Sequence, residues 1–263
     1  MTVDGEACER AGRLLAEAER VVVLTGAGIS TESGIPDFRS PGGLWDRYDP
    51  TQLTYDRFVA SEETRRLYWE LSTEAYPVLR DAEPNAAHHA VTAIERAGKL
   101  TRLVTQNVDG LHAKAGTSAG CTTEIHGSSM RAKCIDCDRE HDREALHRRL
   151  VSKETLAPRC EGCGGPVKPA TVSFGQAMPE RETALAFAAA AACDLMIVAG
   201  SSLVVYPAAS LPDEAHRGGA RVVIVNNEAT PKDALASVVV RGGAGPSMAR
   251  MLAAAGLAVE AVG

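Results

Sequence analysis

Short apolar runs recur along the chain, and each is followed by glycine or by small polar residues. The first run, at residues 21–24, contains only valine and leucine, and further strand-like runs lie at 102–105, 195–198 and 222–225. A run without polar alternation is typical of a strand buried on both faces of a parallel sheet. A last strand is predicted at 237–240. The pattern predicts an α/β fold built on a Rossmann-like parallel sheet.

Helical periodicity fills the segments between these strands. Residues 6–19 place apolar side chains at helical spacing, which predicts an amphipathic helix packed on the sheet. A similar pattern at 55–80 predicts a helical insertion, and helix start and stop signals bound residues 84–98. Further helices are predicted for the charged stretch at 142–154 and the alanine-rich stretch at 181–192.

A glycine-rich segment follows the first strand. Gly26, Ala27 and Gly28 carry almost no side chain, so their backbone N–H groups are able to approach a diphosphate. We expect a helix to open near Ser30 and to point its positive end at the same anion. Glycine pairs also end many strands that bind nothing. Thr31 stands where the fingerprint of hydride-transfer enzymes has a third glycine, which argues against a classical dehydrogenase.

Polar residues also follow the later strands. The strings are QNVDGLH at residues 106–112, GSS at 200–202 and NNE at 226–228. Open α/β sheets bind ligands at the carboxyl ends of their strands. Taken alone, the first string is equally compatible with an Asx turn. His126 precedes Gly127, and its ordinary pKa of about 6.5 suits proton transfer at neutral pH.

Four cysteines form two C-x2-C pairs. They are Cys134, Cys137, Cys160 and Cys163. Two such pairs are the usual means of offering four thiolates to one Zn²⁺ ion in a tetrahedron. Because four cysteines leave no open position for a substrate, the zinc is expected to be structural, one ion per chain. A redox role for either pair is the alternative.

Composition limits the remaining function classes. The chain has 263 residues, 45% of them hydrophobic, and a net charge of -6 without a dense basic run, which argues against nucleic-acid binding. No apolar stretch reaches membrane-spanning length and no signal peptide is seen, so a cytoplasmic protein without a membrane partner is expected. Cys8, Cys121 and Cys193 are expected to be free buried thiols.

Several motifs together resemble one known family. GAGIS, GIPDFR, QNVDGLH, the His126-Gly127 pair, GSS and NNE stand here in the order found in the sirtuins, the NAD-dependent protein lysine deacylases, of the bacterial type. The resemblance extends from about residue 21 to 245. It implies transfer of an acyl group from lysine to ADP-ribose with release of nicotinamide, so that NAD is consumed. Protein mono-ADP-ribosyl transfer from the same NAD site stays open as an alternative, and a monomer is expected.

The resemblance also assigns residues to roles. His126 corresponds to the general base, and Asn107 and Asp109 to the nicotinamide pocket. The positions corresponding to NAD contacts are Gly26, Ala27, Gly28, Ile29, Ser30, Pro36, Asp37, Phe38, Arg39, Gln106, Asn107, Val108, Asp109, Gly200, Ser201, Ser202, Asn226, Asn227, Glu228 and Ala244.

Acyl-lysine peptides are the partners that the resemblance implies. Their groove is assigned to Phe174, Gly175, Leu203, Val204 and Val205, with an extended segment ending in Phe-Gly that pairs with the peptide as an added strand.

Two features of this chain bear on acyl preference. Ser173 and Gln176 depart from the VFFGE string common in the family. Relatives that prefer acidic acyl groups carry an arginine three residues after a tyrosine, whereas Tyr68 is followed at that spacing by Leu71. The resemblance therefore implies a preference for acetyl or longer apolar acyl groups.

The same resemblance divides the chain into parts. The Rossmann-like large domain comprises residues 1–40, 84–127 and 166–263. A smaller domain combines a helical module at 41–83 with a zinc-ribbon module at 128–165.

Overall fold

A six-stranded and a three-stranded sheet organise the chain in the computed structural model, which describes residues 3–36 and 49–257. The strands are β1 Val21–Thr25, β2 Leu100–Thr105, β3 Thr122–Glu124, β4 Gly127–Cys134, β5 Glu140–His141, β6 Val167–Thr171, β7 Leu195–Ala199, β8 Arg221–Val225 and β9 Val238–Val240. The large sheet has the order β3-β2-β1-β7-β8-β9, and all of its pairings are parallel. The predicted Rossmann-like sheet is confirmed.

Most α-helices of the described residues lie where helices were predicted, whereas those at Leu111–Lys114 and Leu211–Arg217 were not predicted. The helices are α1 Gly5–Glu17, α2 Tyr55–Ala60, α3 Glu62–Asp81, α4 Ala86–Arg96, α5 Leu111–Lys114, α6 Arg143–Val151, α7 Glu180–Ala192, α8 Leu211–Arg217 and α9 Ala244–Ala254. The single pattern at 55–80 is two helices, because Ser61 is extended and its hydroxyl accepts a hydrogen bond from the N–H of Thr64. Ser61 thus ends α2 and caps α3. None of these helices is long and apolar enough to cross a bilayer.

Helices cover both faces of the large sheet, as its continuous apolar strands require. Val21 and Val23 of β1 belong to a core that includes α1, α4 and α9, whereas Val22 and Leu24 belong to a core that includes α7 and α8. All four side chains are fully buried. Burial of a side chain of this size contributes about 1.5–3 kcal/mol, so β1 is held from both sides.

The strand order reverses next to β1. The chain runs outward from β1 through β2 and β3, and later returns to β7 on the other side of β1 before continuing through β8 and β9. Open α/β sheets bind ligands at such a switch point, outside the carboxyl ends of the strands. The loops that follow β1 and β7 flank this position.

The small antiparallel sheet, in the order β5-β4-β6, has a core of its own. Trp69 of α3 is fully buried there, and its ring N–H donates a hydrogen bond to the carbonyl oxygen of Val167 at 2.9 Å. Leu146 and Leu150 of α6 belong to the same core. The helical insertion and the cysteine-bearing segment therefore share one apolar interior. The predicted domain boundaries stay a prediction.

The cysteines of the two C-x2-C pairs converge in this small unit. Their four sulfur atoms lie within 4.8 Å of one another. The separations are 3.5 Å for Cys134 and Cys163, 3.7 Å for Cys137 and Cys160, and 3.4 Å for Cys137 and Cys163. Tetrahedral zinc with bonds of about 2.3 Å holds its sulfurs about 3.8 Å apart. The cluster therefore fits a structural zinc ion, as predicted.

The other three cysteines lie outside this cluster. Cys8 and Cys193 are buried, as expected. The expectation was wrong for Cys121, which is only half-buried. It directly precedes β3, the edge strand of the large sheet, so less of the chain covers it.

Replacing a buried cysteine of the cluster tests the zinc assignment. We expect Cys160→Ser to lose the zinc and to lower Tm by at least about 5 °C, since 1 kcal/mol corresponds to about 2–4 °C in a chain of this size. Zinc content by atomic emission and thermal unfolding by circular dichroism measure both effects. The control is Cys193→Ser, a buried cysteine outside the cluster, which should keep one zinc per chain. Full zinc content in Cys160→Ser would contradict the assignment.

Candidate active site

Two glycine loops meet where the strand order reverses. The N–H of Gly28, after β1, donates a hydrogen bond to the carbonyl oxygen of Gly200, after β7, at 2.8 Å. Gly200 has a φ of +64°, and a Cβ atom there would lie 2.2 Å from the backbone nitrogen of Ile29. A side chain does not fit at this position. The absence of side chains thus allows the two loops to pack backbone against backbone.

The first loop does not open into the α-helix that the sequence predicted. Two short 3₁₀ turns, Ala27–Ile29 and Thr31–Ser33, follow β1 instead. The Thr31 hydroxyl donates to the carbonyl oxygen of Gly28 at 3.0 Å, and Gly34 ends the second turn at a φ of +81°. These local interactions take the place of a continuing helix. An anion bound here would meet individual N–H groups rather than the end of a helix dipole.

Three of the predicted NAD contacts, Asp37, Phe38 and Arg39, lie outside the described residues. Pro36 precedes them and is exposed, and Ala27 is half-buried. Their roles stay predictions.

Three polar side chains form a buried network beside the first loop. The Nδ2 of Asn107 donates hydrogen bonds to the carbonyl oxygen of Gly26 and to the hydroxyl of Ser30, both at 3.1 Å. Ser30 donates to Oδ2 of Asp109 at 2.8 Å, and Oδ1 accepts from the N–H of Leu111 at 2.9 Å. Burial raises the pKa of Asp109, while these hydrogen bonds oppose the change. The network fixes the loop after β2 against the loop after β1.

Gln106 connects the same loop to the second glycine loop. Its Nε2 donates to the hydroxyl of Ser201 at 2.9 Å, and that hydroxyl also accepts from the N–H of Leu203 at 3.3 Å. The carbonyl oxygen of Val108, a half-buried residue, accepts from the N–H of Ser129 at 2.9 Å. The loops after β1, β2 and β7 therefore form one connected site.

His126 lies between β3 and β4, next to this site. Its Nδ1 is 3.1 Å from the carbonyl oxygen of Gln106. Because a carbonyl only accepts, Nδ1 carries the proton, and Nε2 has a free lone pair in the neutral ring. Burial lowers the pKa of His126, and the hydrogen bond to Gln106 opposes this effect. The ring is therefore neutral at physiological pH and able to accept a proton.

Several of the predicted NAD contacts after β7 and β8 are more exposed. The side-chain Nδ2 of Asn226 donates to the carbonyl oxygen of Glu228 at 2.9 Å, which turns the segment after β8. Asn227, Glu228 and Ser202 are exposed, whereas Ala244 is buried at the start of α9. All of them follow the carboxyl ends of β7, β8 or β9. They lie at the same edge of the sheet as the two glycine loops.

Sequence reasoning missed Glu32. Its carboxylate accepts a hydrogen bond from the N–H of Gly245 at 3.1 Å and ties the second 3₁₀ turn to the start of α9. The partners are 213 positions apart, so no local pattern marks them. No role was predicted for Thr25 and His112, although their side chains lie 3.0 Å apart beneath the site. The sequence feature that pointed to them was the position of His112 at the end of the QNVDGLH string.

The predicted peptide groove differs in part from the expectation. Phe174 and Val204 are 50% and 47% exposed. The segment expected to stay extended through Phe174 and Gly175 instead leaves the strand at Thr171 and forms a turn, in which Gly175 has a φ of +79°. Leu203 has a φ of +54°, and its side chain is buried in a core of the large sheet. That side chain therefore does not face a groove.

Hydrogen bonds close the turn at Phe174. Its carbonyl oxygen accepts from the N–H of Tyr55 at 2.9 Å. The side-chain oxygen of Gln176 accepts from the N–H of Ser173 at 3.1 Å, and the N–H of Gln176 donates to the carbonyl oxygen of Ser173. These bonds are the physical reason why the strand does not continue. Val205 is half-buried beside the exposed Val204.

Comparisons with known proteins agree with this site. A model of the Sir2 family matches residues 26–207. The NAD-dependent protein deacetylase 1 of Bradyrhizobium diazoefficiens is 45% identical over 240 residues, which cover 91% of this chain and 93% of that protein. The NAD-dependent protein deacylase 2 of Archaeoglobus fulgidus is 41% identical over 244 residues, covering 92% of this chain and 94% of that protein.

Solved structures give the same result. A structure described as Sir2 with a p53 peptide and NAD+ has a TM-score of 0.83 at 35% identity, covering 93% of this chain and 96% of the other. A structure from work on the mechanism and regulation of Sir2 enzymes has a TM-score of 0.85 at 39% identity, covering 96% and 99%. The matched segment includes the glycine loops, the buried network, His126 and the four cysteines. The chain therefore belongs to the Sir2 family.

Proposed function

We infer that this chain is an NAD-dependent protein lysine deacylase. The observation that carries the inference is the buried network of Ser30, Asn107 and Asp109, next to a neutral His126, at the switch point of the sheet. A fixed polar pocket beside a proton acceptor suits the release of a leaving group followed by activation of a hydroxyl. The relatives named as deacetylases and deacylases support the same reaction.

The residues present fit NAD. The carboxamide of nicotinamide both donates and accepts hydrogen bonds. It is therefore a suitable partner for the amide of Asn107, which does both, and for the carboxylate of Asp109, which accepts. Gln106 and Ser201 place polar groups between this pocket and the second glycine loop. We propose that Asn226 and the other residues after β8 hold the adenosine end, since they lie further along the same edge.

NAD, when bound, would supply a glycosidic bond, from which nicotinamide leaves as the acyl oxygen of the lysine bonds to the same ribose carbon, and a ribose hydroxyl, which receives the acyl group. Asn107 and Asp109 orient the leaving group, and their hydrogen bonds to Ser30 hold them so that they need not reorganise during the reaction. The Nε2 of His126 would accept a proton from the ribose hydroxyl as its oxygen bonds to the acyl carbon. Water would then add to that carbon, and its bond to the lysine nitrogen would break, so that lysine leaves as the free amine. The N–H at Nδ1 keeps its proton and donates a hydrogen bond to the carbonyl oxygen of Gln106, which holds the ring in its orientation.

We propose that the acyl-lysine peptide binds over the exposed apolar side chains of Phe174, Val204 and Tyr206. Gly175 and Leu203 would contribute through their backbones. Val205, which is half-buried and follows Val204 in the chain, would also contribute to this surface.

We further propose a cytoplasmic monomer that binds neither nucleic acid nor membranes. The net charge of -6 supports the absence of a nucleic-acid partner. The cysteines of the described chain are free thiols rather than disulfides, as is usual in a reducing compartment.

The residues around Tyr68 favour uncharged acyl groups. Its hydroxyl lies 3.1 Å from that of Thr171 and 3.4 Å from that of Ser173. Lys168 is buried beneath the ring, but its ammonium group donates to oxygen atoms of its own segment. Leu71 stands where an arginine would be needed. A carboxylate on the acyl chain would therefore find no available cation among these residues.

Acyl-dependent release of nicotinamide tests the reaction. With NAD and an acetyl-lysine peptide, we expect nicotinamide and free lysine in equal amounts, and His126→Ala should lower kcat by about 10²–10⁴-fold because it removes the base. Chromatography of both products measures this. His216→Ala, at an exposed position on α8, is the matched control and should retain full activity. Release of nicotinamide without the peptide, with labelling of protein, would favour ADP-ribosyl transfer instead.

The pH profile tests the protonation state of His126. The base must be neutral, so kcat/KM for the peptide should rise with pH and level off above the pKa of the free enzyme. Because burial lowers that pKa, the midpoint should lie below the ordinary value of about 6.5. Initial rates between pH 5 and 8 give the midpoint. An acidic limb centred above the ordinary value would contradict a buried neutral base.

A panel of acyl peptides tests the selectivity. We expect kcat/KM for the acetyl peptide to exceed that for the succinyl peptide by at least about tenfold, because an unpaired buried carboxylate costs upwards of about 1–3 kcal/mol. Leu71→Arg should raise the value for the succinyl peptide. Glu70→Arg places the same guanidinium group at the neighbouring exposed position, with an even larger gain of positive charge, and should leave the ratio unchanged. A wild-type preference for succinyl would refute the selectivity.

A further inference from the structure

A hydrogen-bonded chain runs beneath the loop that carries Asn107 and Asp109. Thr25 is the last residue of β1 and Thr105 the last of β2, and the two are partners in the parallel register. The Thr25 hydroxyl donates to Oγ1 of Thr105 at 2.9 Å, and Nε2 of His112 lies 3.0 Å from the same hydroxyl. All three side chains are more than nine-tenths buried. Thr25, Thr105 and His112 are called the loop clasp below.

The direction of each hydrogen bond follows from the protons available. The Thr25 hydroxyl gives its single proton to Thr105, so it accepts from the N–H at Nε2 of His112. Burial, with a further contribution from His88, lowers the pKa of His112 well below its ordinary value. The ring is therefore neutral and carries its one proton on Nε2. In agreement, Nδ1 is buried without a hydrogen-bond partner in the described part of the chain.

The N-terminal end of the loop is held by hydrogen bonds to Thr25 and Thr105. Oγ1 of Thr105 also accepts from the backbone N–H of Asn107 at 3.0 Å. The carbonyl oxygen of Thr25 accepts from the backbone N–H of Gln106 at 3.0 Å and from its Nε2 at 3.3 Å. The first two loop residues are thus held by Thr25, either directly or through Thr105.

The other end of the loop returns to the same threonine. His112 is the second residue of α5, which begins directly after Asp109 and Gly110. Gly110 reverses the chain at a φ of +76°, and Oδ1 of Asp109 accepts from the N–H of Leu111. The hydrogen bond from His112 to Thr25 therefore closes residues 106–111 into a loop that is pinned at both ends to β1.

We propose that the loop clasp positions the nicotinamide pocket: it holds the backbone of residues 106–111 so that Asn107 and Asp109 meet the substrate in one geometry. The role of Asn107 and Asp109 in binding nicotinamide rests on the proposed function. The hydrogen bonds of the loop clasp do not depend on that function. Valine at positions 25 and 105 would continue the apolar strands without burying hydroxyl groups. The two hydroxyls instead carry hydrogen bonds from a neutral imidazole to the loop backbone.

Thr25→Val removes the hydroxyl with almost no change in shape. The matched control is Thr123→Val. Thr123 is also buried, lies on β3 next to β2, and has a hydroxyl without a hydrogen-bond partner among the described residues. Hydrogen–deuterium exchange of the NAD-free proteins, read by mass spectrometry, reports on the loop directly. We expect the amides of residues 106–111 to exchange about tenfold faster in Thr25→Val, as for the loss of one or two hydrogen bonds, and at the wild-type rate in Thr123→Val.

Kinetics separate positioning from general destabilisation. With NAD and an acetyl-lysine peptide, Thr25→Val and His112→Leu should each lower kcat for nicotinamide release by about 10- to 100-fold, the effect of a misplaced group. KM for the peptide and Kd for ADP-ribose, which lacks nicotinamide, should stay within about threefold. The double variant should have a kcat no lower than that of either single variant, because both substitutions remove the same hydrogen bond between His112 and Thr25. His112→Gln keeps an N–H donor and should recover part of kcat.

The outcomes are distinguishable. Unchanged exchange of residues 106–111 in Thr25→Val overturns the loop clasp, whatever reaction the protein catalyses. Equal losses in kcat, peptide KM and ADP-ribose binding also overturn it, since they indicate a general structural role. If exchange rises as expected but the wild-type chain releases no nicotinamide, the loop clasp is supported and the proposed function fails.

Discussion

The contact between the backbones of Gly28 and Gly200 sets the position of the other groups in the site. It joins the loops after two adjacent parallel strands, and a Cβ atom on Gly200 would collide with the chain. The strand order reverses here, which is the position at which open α/β sheets leave a crevice for a ligand. Ser30, two residues beyond Gly28, is thereby brought within hydrogen-bonding distance of Asn107. The buried network thus depends on a backbone contact that only glycine permits.

The site is built from polar groups that are mostly neutral. Burial lowers the pKa of His88, His112 and His126, so all three rings are uncharged at physiological pH. Neutral groups with fixed hydrogen bonds are cheaper to bury than ions. Asp109 is the carboxylate of the network, and its interaction with a positive charge is stronger here than in water. Positive charge that develops on the reacting ribose would therefore meet an environment with little competing charge.

The sequence predicted the features that depend on the spacing of residues close together along the chain. Five of the six strands of the large sheet, most helices and the four zinc ligands follow from periodicity or from C-x2-C pairs, and polar strings after strands marked the site. The edge strand β3 and the three strands of the small sheet were not predicted. Features that depend on one long-range contact were not predictable. Glu32 reaches Gly245 across 213 positions. The turn at Phe174 forms because the N–H of Tyr55, far away in sequence, takes its carbonyl oxygen, and Ser61 divides a helix whose periodicity is continuous.

The zinc cluster and His126 lie at opposite ends of the same pair of strands. β4 begins at Gly127, directly after His126, and ends at Cys134, while β6 pairs with it from Val167 at the cysteine end to Thr171 at the other. β4 carries an irregularity between Ser128 and Ala132, and its two ends pair with Val167 and Thr171, which are four strand steps or about 13 Å apart. Because four thiolates also leave zinc no open position, the metal takes no part in the chemistry near His126.

The pairing nevertheless couples the two ends. Beyond Thr171, the N–H of Val172 donates to the carbonyl oxygen of His126 at 2.8 Å. Gly127 crosses so close to the neighbouring strand that a Cβ atom would lie 2.0 Å from the carbonyl oxygen of Ala170. One register therefore fits at this end, and four thiolates on one zinc ion would fix the register at the other. A structural metal can thus hold the backbone of a proposed catalytic base without approaching the substrate.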